Sequence, residues 1–333
     1  MNYLGSKIKL SDFIIEAIVN NVGTLEDKVF CELFGGTGII SRNLKGKVKE
    51  IIVNDIEKYS YFLLKHYLES NAFYQFDEQL INLNNLDGVE GFIYKNYCSG
   101  SGSGRLYFTD DNGKKIDAIR QSIEVLYLNG KIDNSIYSSL IALLLEASDK
   151  VANTASVYGA FLKKFKKTAL QPLTLKDSRR KNSLNNTKTV QVYNEDSNDL
   201  IKKIAGDVLY LDPPYNHRQY GANYHLLNTI VEYKEFYPKG ITGLRDYYRS
   251  NYCIQSKAND SLNDILKNAN FKYIFLSYNN EGIIELEKIK EMMTRYGEYY
   301  MMVKNDYPRF KADNNRDYSA SKTQEYLHIL ERK

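Results

Sequence analysis

Short apolar runs recur along this chain with helix-length stretches between them, and that alternation narrows its fold more than any other feature. Val29-Phe30-Cys31-Glu32-Leu33-Phe34 ends in a glycine cluster and reads as a strand entering a tight turn. Glu50-Ile51-Ile52-Val53-Asn54 reads as the next strand, and residues 59–67 as a helix behind it. Further strands are expected at 208–211, 273–277, 299–303 and 326–330. Strands alternating with helices predict an α/β chain built on a mostly parallel, doubly wound sheet.

Residues 69–189 break the rhythm. The alternating serines and glycines at 99–104 predict a mobile loop. The segment 136–150 predicts a helix with Ile141, Leu144, Leu145, Ser148 and Val151 on one face. The expected organisation is therefore a sheet domain from 1–68 and 190–333, interrupted at 69–189 by a mainly helical lobe.

Composition excludes several classes. Of 333 residues, 26% are charged and 43% hydrophobic, the mixture of a globular chain. No apolar run reaches the roughly 18 residues of a membrane span, and residues 1–7 lack the apolar core of a secretory signal. A cytoplasmic location is expected. Cys31, Cys98 and Cys253 form no CxxC pair, and His66, His217, His225 and His328 have no metal-ligand spacing, so no metal is expected. The formal net charge is only +4. Between 151 and 188, however, stand Lys163, Lys164, Lys166, Lys167, Lys176, Arg179, Arg180, Lys181 and Lys188 against the single acid Asp177. That excess suits phosphate contacts, or else a solvated basic face. A second basic group is Lys304, Arg309, Lys311 and Arg316.

The cluster Phe34-Gly35-Gly36-Thr37-Gly38 lies between a strand and a helix beginning near Ile39. Such glycines serve a sharp turn, a close approach to a ligand, or both. Asp55 ends the second strand, about 20 residues beyond the first glycine, where an acid can accept from two ribose hydroxyls. Gly-Gly-Thr-Gly is not the GxGxxG of pyrophosphate binding, and no GxxxxGK[ST] loop occurs, which favours an adenosyl cofactor without phosphates. Asp196, at the end of 192–196, could accept from the adenine amino group or simply cap a helix starting near Ser197.

Asp212-Pro213-Pro214-Tyr215 follows the strand at 208–211 directly. Two prolines cannot donate to a sheet, so the strand must stop there, leaving a carboxylate, a carbonyl and an aromatic ring in one rigid turn. An aromatic exocyclic amine is a poor nucleophile because its lone pair is delocalised. Two acceptors, the Asp212 carboxylate and the Pro213 carbonyl, can hold its two hydrogens and favour a pyramidal nitrogen. Tyr215 offers a face for the base, which must leave the duplex stack to reach such a pocket.

With these motifs in this order, the chain resembles the D12 class of adenine-specific DNA methyltransferases over nearly its whole length. The resemblance implies a Rossmann-like fold dependent on S-adenosylmethionine (SAM), with S-adenosylhomocysteine as product and double-stranded DNA as substrate. It implies that Tyr3 to Lys7 line the cofactor side of the active site. It implies that Glu32, Phe34, Gly35, Gly36 and Gly38 bind the methionine moiety, Asp55 and Ile56 the ribose side, and Asp196 the adenine. Asp212 to Tyr215 match the catalytic motif. The segment 216–225, with Arg218 and Tyr220, is similar to a stretch in restriction–modification members and is implied to border the flipped base; read by itself it is a polar, aromatic helix entry. Target recognition falls in 69–189, where the basic segment also lies. The resemblance further implies a modification enzyme paired functionally with a restriction endonuclease in a prokaryotic cytoplasm. Asp-Pro-Pro-Tyr chemistry alone leaves an RNA adenine as an alternative substrate, and a DNA-binding protein with a vestigial methyltransferase fold is the non-enzyme alternative.

Overall fold

The computed structural model describes residues 5–69, 76–177, 189–308 and 322–332. Its strands are β1 (Val29–Glu32), β2 (Glu50–Asn54), β3 (Thr189–Tyr193), β4 (Ala205–Leu211), β5 (Asn270–Asn279), β6 (Gly297–Pro308) and β7 (Lys322–Arg332). The α-helices are α1 (Ser11–Val22), α2 (Ile39–Leu44), α3 (Lys58–Leu64), α4 (Asp77–Asn84), α5 (Phe92–Tyr97), α6 (Asp110–Leu128) and α7 (Asn134–Val151). They continue as α8 (Ser197–Leu200), α9 (Tyr220–Asn223), α10 (His225–Glu232), α11 (Gln255–Asn268) and α12 (Leu286–Thr294).

All seven strands form one sheet in the order β3-β2-β1-β4-β5-β7-β6. Pairs β1–β2, β2–β3, β1–β4 and β4–β5 are parallel, whereas β7 runs antiparallel to both β5 and β6. The chain winds outward from β1 to β3, returns to β4, and then builds the other half. The order therefore reverses between β1 and β4, and a doubly wound sheet opens a crevice at the carboxyl ends of the strands flanking such a reversal. The glycine turn follows β1 and Asp212 follows β4, so topology brings two motifs nearly 180 residues apart to one switch point.

Strand alternation decides the two faces. Cys31, Leu33, Leu209, Leu211, Ile274, Leu276 and Leu330 pack with Leu262, Ile265 and Leu266 of α11 and Ile289, Met292 and Met293 of α12. The intervening positions Phe30, Val208, Tyr210 and Phe275 are buried on the opposite face, where α2 packs on β1 and α1 on α2.

Two compact units divide the described residues. One holds 5–64, 189–219, 249–308 and 322–332, including the sheet; the other holds 65–69, 76–177 and 220–248. The sequence reading put 220–248 with the sheet, but here this segment belongs to the helical unit. Leu226, Leu227, Ile230 and Val231 of α10 are buried, and α10 packs on α7. Arg120 of α6 then donates Nε and Nη2 to the terminal carbonyls of α10, Ile230 O at 3.0 Å and Val231 O at 2.9 Å. Those carbonyls have no partner within their own helix, so the guanidinium satisfies them and locks α6 to α10. Asp117 does the converse, accepting Ile93 N at 2.9 Å and Tyr94 N at 2.8 Å at the start of α5.

The serine–glycine run expected as a mobile loop is instead a hydrogen-bonded turn. Gly100 N donates to Asp110 Oδ1 at 2.7 Å and Ser101 Oγ to Cys98 O at 2.9 Å. Low side-chain bulk predicted freedom, whereas Asp110, at the start of α6, supplies the restraint. Among the described residues no helix is long and apolar enough to cross a membrane.

Candidate active site

The glycine turn is built around carboxylates. Gly36 and Gly38 have φ of 53° and 69°, the left-handed region that glycine enters at no steric penalty. Gly35 answers to packing: a Cβ there would lie 2.8 Å from Val53 Cγ2 and 2.9 Å from Leu64 Cδ1. Asp55, at the end of β2, accepts Gly36 N at 2.7 Å through Oδ2 and Glu57 N at 2.9 Å through Oδ1. The acid read as a ribose acceptor therefore also ties two loops together. Burial raises its pKa, against the pull of those amides.

Glu32 lies in the core at the end of β1 and accepts both Ser41 N at 3.0 Å and Ser41 Oγ at 2.5 Å. Burial, with Asp212 and Asp55 adding repulsion, pushes its carboxyl up to about 8. Glu32 thus anchors the first turn of α2 to the strand. Phe34 packs edge-on against Tyr252, ring centroids 5.1 Å apart. Ile56 is half-buried, and its carbonyl and that of Asp55 each accept Asn194 Nδ2 at 2.8 Å. Asp196 accepts Asn198 N at 2.8 Å and so caps α8. The helix-cap reading of Asp196 describes one contact that it makes here; its contact with an adenine stays an expectation.

At the end of β4 the chemistry changes. Asp212 faces Lys7, with Lys7 Nζ 2.9 Å from Asp212 Oδ1 and 5.6 Å from the Tyr215 ring centroid. Lys7 is 7% exposed and Asp212 17%. Burial alone would push the lysine pKa down, but Asp212, with Tyr215 and Glu325, outweighs it, and the ammonium is held well above its ordinary value. Burial raises the Asp212 pKa, and Lys7 opposes that rise without cancelling it. An ion pair removed from water is stable only where each charge keeps its partner. Lys7 thus holds a carboxylate in a place where burial would otherwise favour its protonation. Tyr215 is half-buried and packs edge-on against Tyr278 at 6.0 Å, while its carbonyl accepts Ile283 N at 2.9 Å. Pro213 is buried and Pro214 partly so.

The remaining expected residues differ in their settings. Arg218 is exposed and Tyr220 stacks on Tyr224, centroids 6.1 Å apart. In the helical unit Lys163, Lys164 and Lys167 are exposed, but Lys166 donates its ammonium to Thr154 O at 2.8 Å. The buried Asn153 organises that loop, donating to Leu106 O and Leu162 O, each at 3.0 Å, and accepting Lys166 N at 3.1 Å. Tyr3, Arg179 and Arg180 lie outside the described residues, as do Lys181, Lys188, Arg309, Lys311 and Arg316. Among the described residues no group of three or more His, Cys, Asp or Glu side chains could hold a metal ion.

Sequence reading assigned no role to Asn54, Asn194 or Glu325. Asn54 is buried at the end of β2 and bridges Leu33 O at 3.2 Å and Glu195 O at 3.1 Å, accepting Glu195 N at 3.0 Å. An amide side chain at the carboxyl end of an apolar strand was the available signal for it. Glu325 directly precedes the run read as a strand at 326–330 and carried no signal of its own.

The family model for D12 class N6 adenine-specific DNA methyltransferases matches residues 3–292. The chain is 52% identical to the type II methyltransferase M.NlaIII of Neisseria lactamica, over 100% of this chain and 99% of that protein. It is 38% identical to the type II methyltransferase M.CviAII of Paramecium bursaria Chlorella virus 1, over 99% and 98%. It is also 37% identical to the type II methyltransferase M.FokI of Planomicrobium okeanokoites, over 100% of this chain but 53% of that protein. With Asp212 to Tyr215 at the switch point of a doubly wound sheet, this chain belongs to the D12 class N6 adenine-specific DNA methyltransferases.

Proposed function

We propose that this protein is the modification methyltransferase of a restriction–modification system, methylating N6 of a flipped-out adenine in its recognition sequence. The observation that carries the reading is Asp212, a largely buried acid at the end of β4 paired with the Lys7 ammonium. Asp212 accepts one N6 hydrogen and the Pro213 carbonyl the other, which localises the nitrogen lone pair; Tyr215 stacks on the base. The full-length similarity to named type II methyltransferases supports a modification role.

The donor set at the glycine turn fits SAM. Left-handed glycines open the backbone at Gly36 and Gly38, and half-buried Phe34 and Ile56 offer apolar surface. A carboxylate has about four acceptor positions, so two backbone amides and the Ser60 hydroxyl do not exhaust Asp55 as a ribose acceptor. When bound, SAM supplies an electrophilic methyl group. Glu32, Gly35 and Asp196 shape the walls of this site, and Lys7 orients Asp212 toward the target base.

DNA phosphates are held by Lys163, Lys164 and Lys167, whose loop Asn153 fixes, and by Arg218; Lys166 serves the loop itself. Arg179 and Arg180 belong to the same basic segment, and Tyr220 borders the extruded base. The test is incubation with methyl-labelled SAM and plasmid DNA, followed by nucleoside analysis. Label in 6-methyladenine is expected; label only in RNA in a matched reaction would overturn the substrate. Charge removal at Lys163, Lys164 and Lys167 together should flatten the dependence of log affinity on log salt by about 2 to 3, measured by titration across salt concentrations.

A further inference from the structure

Glu325 lies on β7 between Asn279 of β5 and Lys304 of β6 in the sheet register. It is 5% exposed, and its Oε2 is buried with no hydrogen-bond partner among the described residues. Register places it on a definite face. Along β7, Ile329, Leu327 and Glu325 pair with Phe275, Ser277 and Asn279 of β5, and Tyr210 of β4 pairs with Phe275. Tyr210 Oη and Ser277 Oγ are 2.8 Å apart on that face. Asp212 follows two residues after Tyr210, and Lys7 reaches the same end of β4. A buried acid without a partner for one oxygen is expensive unless something nearby responds to its charge.

Lys7 stabilises the ionised form of Glu325, Asn279 donates to it, and Asp212 and Glu281 oppose it. Burial is the largest influence, and together these push its carboxyl up to about 7. Lys304 is its neighbour across the β6 pairing and reaches over Phe13. Around Asp212 itself stand Lys7, Tyr210 and Glu32, and Tyr215 lies beside Lys7.

We propose that Glu325 is a positioning residue for methyl transfer, acting through Lys7 to set how much negative charge Asp212 presents to the adenine amino group. With Glu325 protonated, Lys7 serves Asp212 alone and neutralises it. With Glu325 ionised, the ammonium is shared between two carboxylates, and Asp212 becomes the stronger acceptor for an N6 hydrogen. Methyl transfer therefore gains speed as Glu325 loses its proton. The inference rests on Asp212 being the acceptor of that hydrogen.

The test is a single-turnover pH profile, pH 5.5 to 9, with enzyme in excess over unmethylated plasmid DNA and saturating labelled SAM. The wild-type rate should climb through an inflection near pH 7. Glu325→Gln, fixed in the neutral form, should match the wild type at pH 6, fall about tenfold below it at pH 8.5, and lack that inflection. Glu325→Asp should restore an inflection, which a merely structural role would not do. SAM and DNA affinities and thermal melting, measured alongside, should change little in either variant. An inflection that persists in Glu325→Gln would assign it to Asp212 or Glu32 and overturn the proposal. Asp212→Ala is the separate control: if it still methylates well, the reading of the active site fails, whereas a dead Asp212→Ala with an unchanged Glu325→Gln profile sinks only the role of Glu325.

Discussion

The glycine turn after β1 and the Asp212 turn after β4 sit on adjacent strands, yet they are stabilised in opposite ways. Around the first, carboxyl groups accept from neutral donors: Asp55 from two backbone amides and Glu32 from the amide and hydroxyl of Ser41. At the second, a buried acid is balanced by the charge of Lys7. A turn held by its own amides keeps its shape whether or not a ligand is present. A turn held by a buried ion pair keeps a charge available, at the risk of a large penalty if one partner is lost. The glycine turn is thus organised for shape and the Asp212 turn for charge.

The sharpest way to break that contrast is Asp212→Ala. Methyl transfer should fall by at least about 10³-fold while SAM affinity stays within a few-fold, read by nucleoside analysis and by calorimetry. A loss confined to SAM binding would make the second turn a shape element too. Asp55→Ala should do the reverse, leaving two amide donors unsatisfied at about 1–3 kcal/mol each. Weakened SAM binding and a lower melting temperature are expected, and unchanged melting would mean that water replaces the carboxylate. Gly35→Ala introduces a Cβ that must displace Val53 and Leu64 side chains. A loss of about 1–3 kcal/mol in denaturant unfolding follows from overpacking.

The smallest effect concerns Glu32. Its folded pKa, about 8, exceeds the ordinary carboxyl value, so the folded state keeps a proton that the unfolded chain releases. Stability from this group is therefore lost as pH rises from the unfolded value toward 8. Glu32→Gln removes that linkage while preserving an acceptor for Ser41. Between pH 5 and 8 the melting temperature of the ligand-free variant should drop several degrees less than that of the wild type. Parallel curves for the two proteins would show that Glu32 is ionised in the fold.

Much of the core was legible because strand periodicity is local. The runs at 29–34, 50–54 and 208–211 lie where β1, β2 and β4 form, and Gly36 and Gly38 carry the positive φ that their positions require. Helix α7 was legible too, although burial extends to Leu140, Ala142, Leu143 and Ala147, beyond the single face that the spacing marked. Segment 220–248 was misassigned because α10 is amphipathic and could bury its apolar face in either unit; the complementarity of Arg120 to its last carbonyls is visible only after folding.

Asp212-Pro213-Pro214-Tyr215, the glycine turn and Asp55 were fixed by sequence, since each needs particular residue types a few positions apart to make its backbone geometry and chemistry. Tertiary structure decided the rest. The strand order put Asp212 beside the glycine turn, the path before α1 brought Lys7 to Asp212, and the antiparallel entry of β7 between β5 and β6 carried Glu325 toward both. Charge acts through space and falls with distance rather than with separation along the chain. Lys7, the charge that opposes the protonation of Asp212, could be found only once the fold had brought it there.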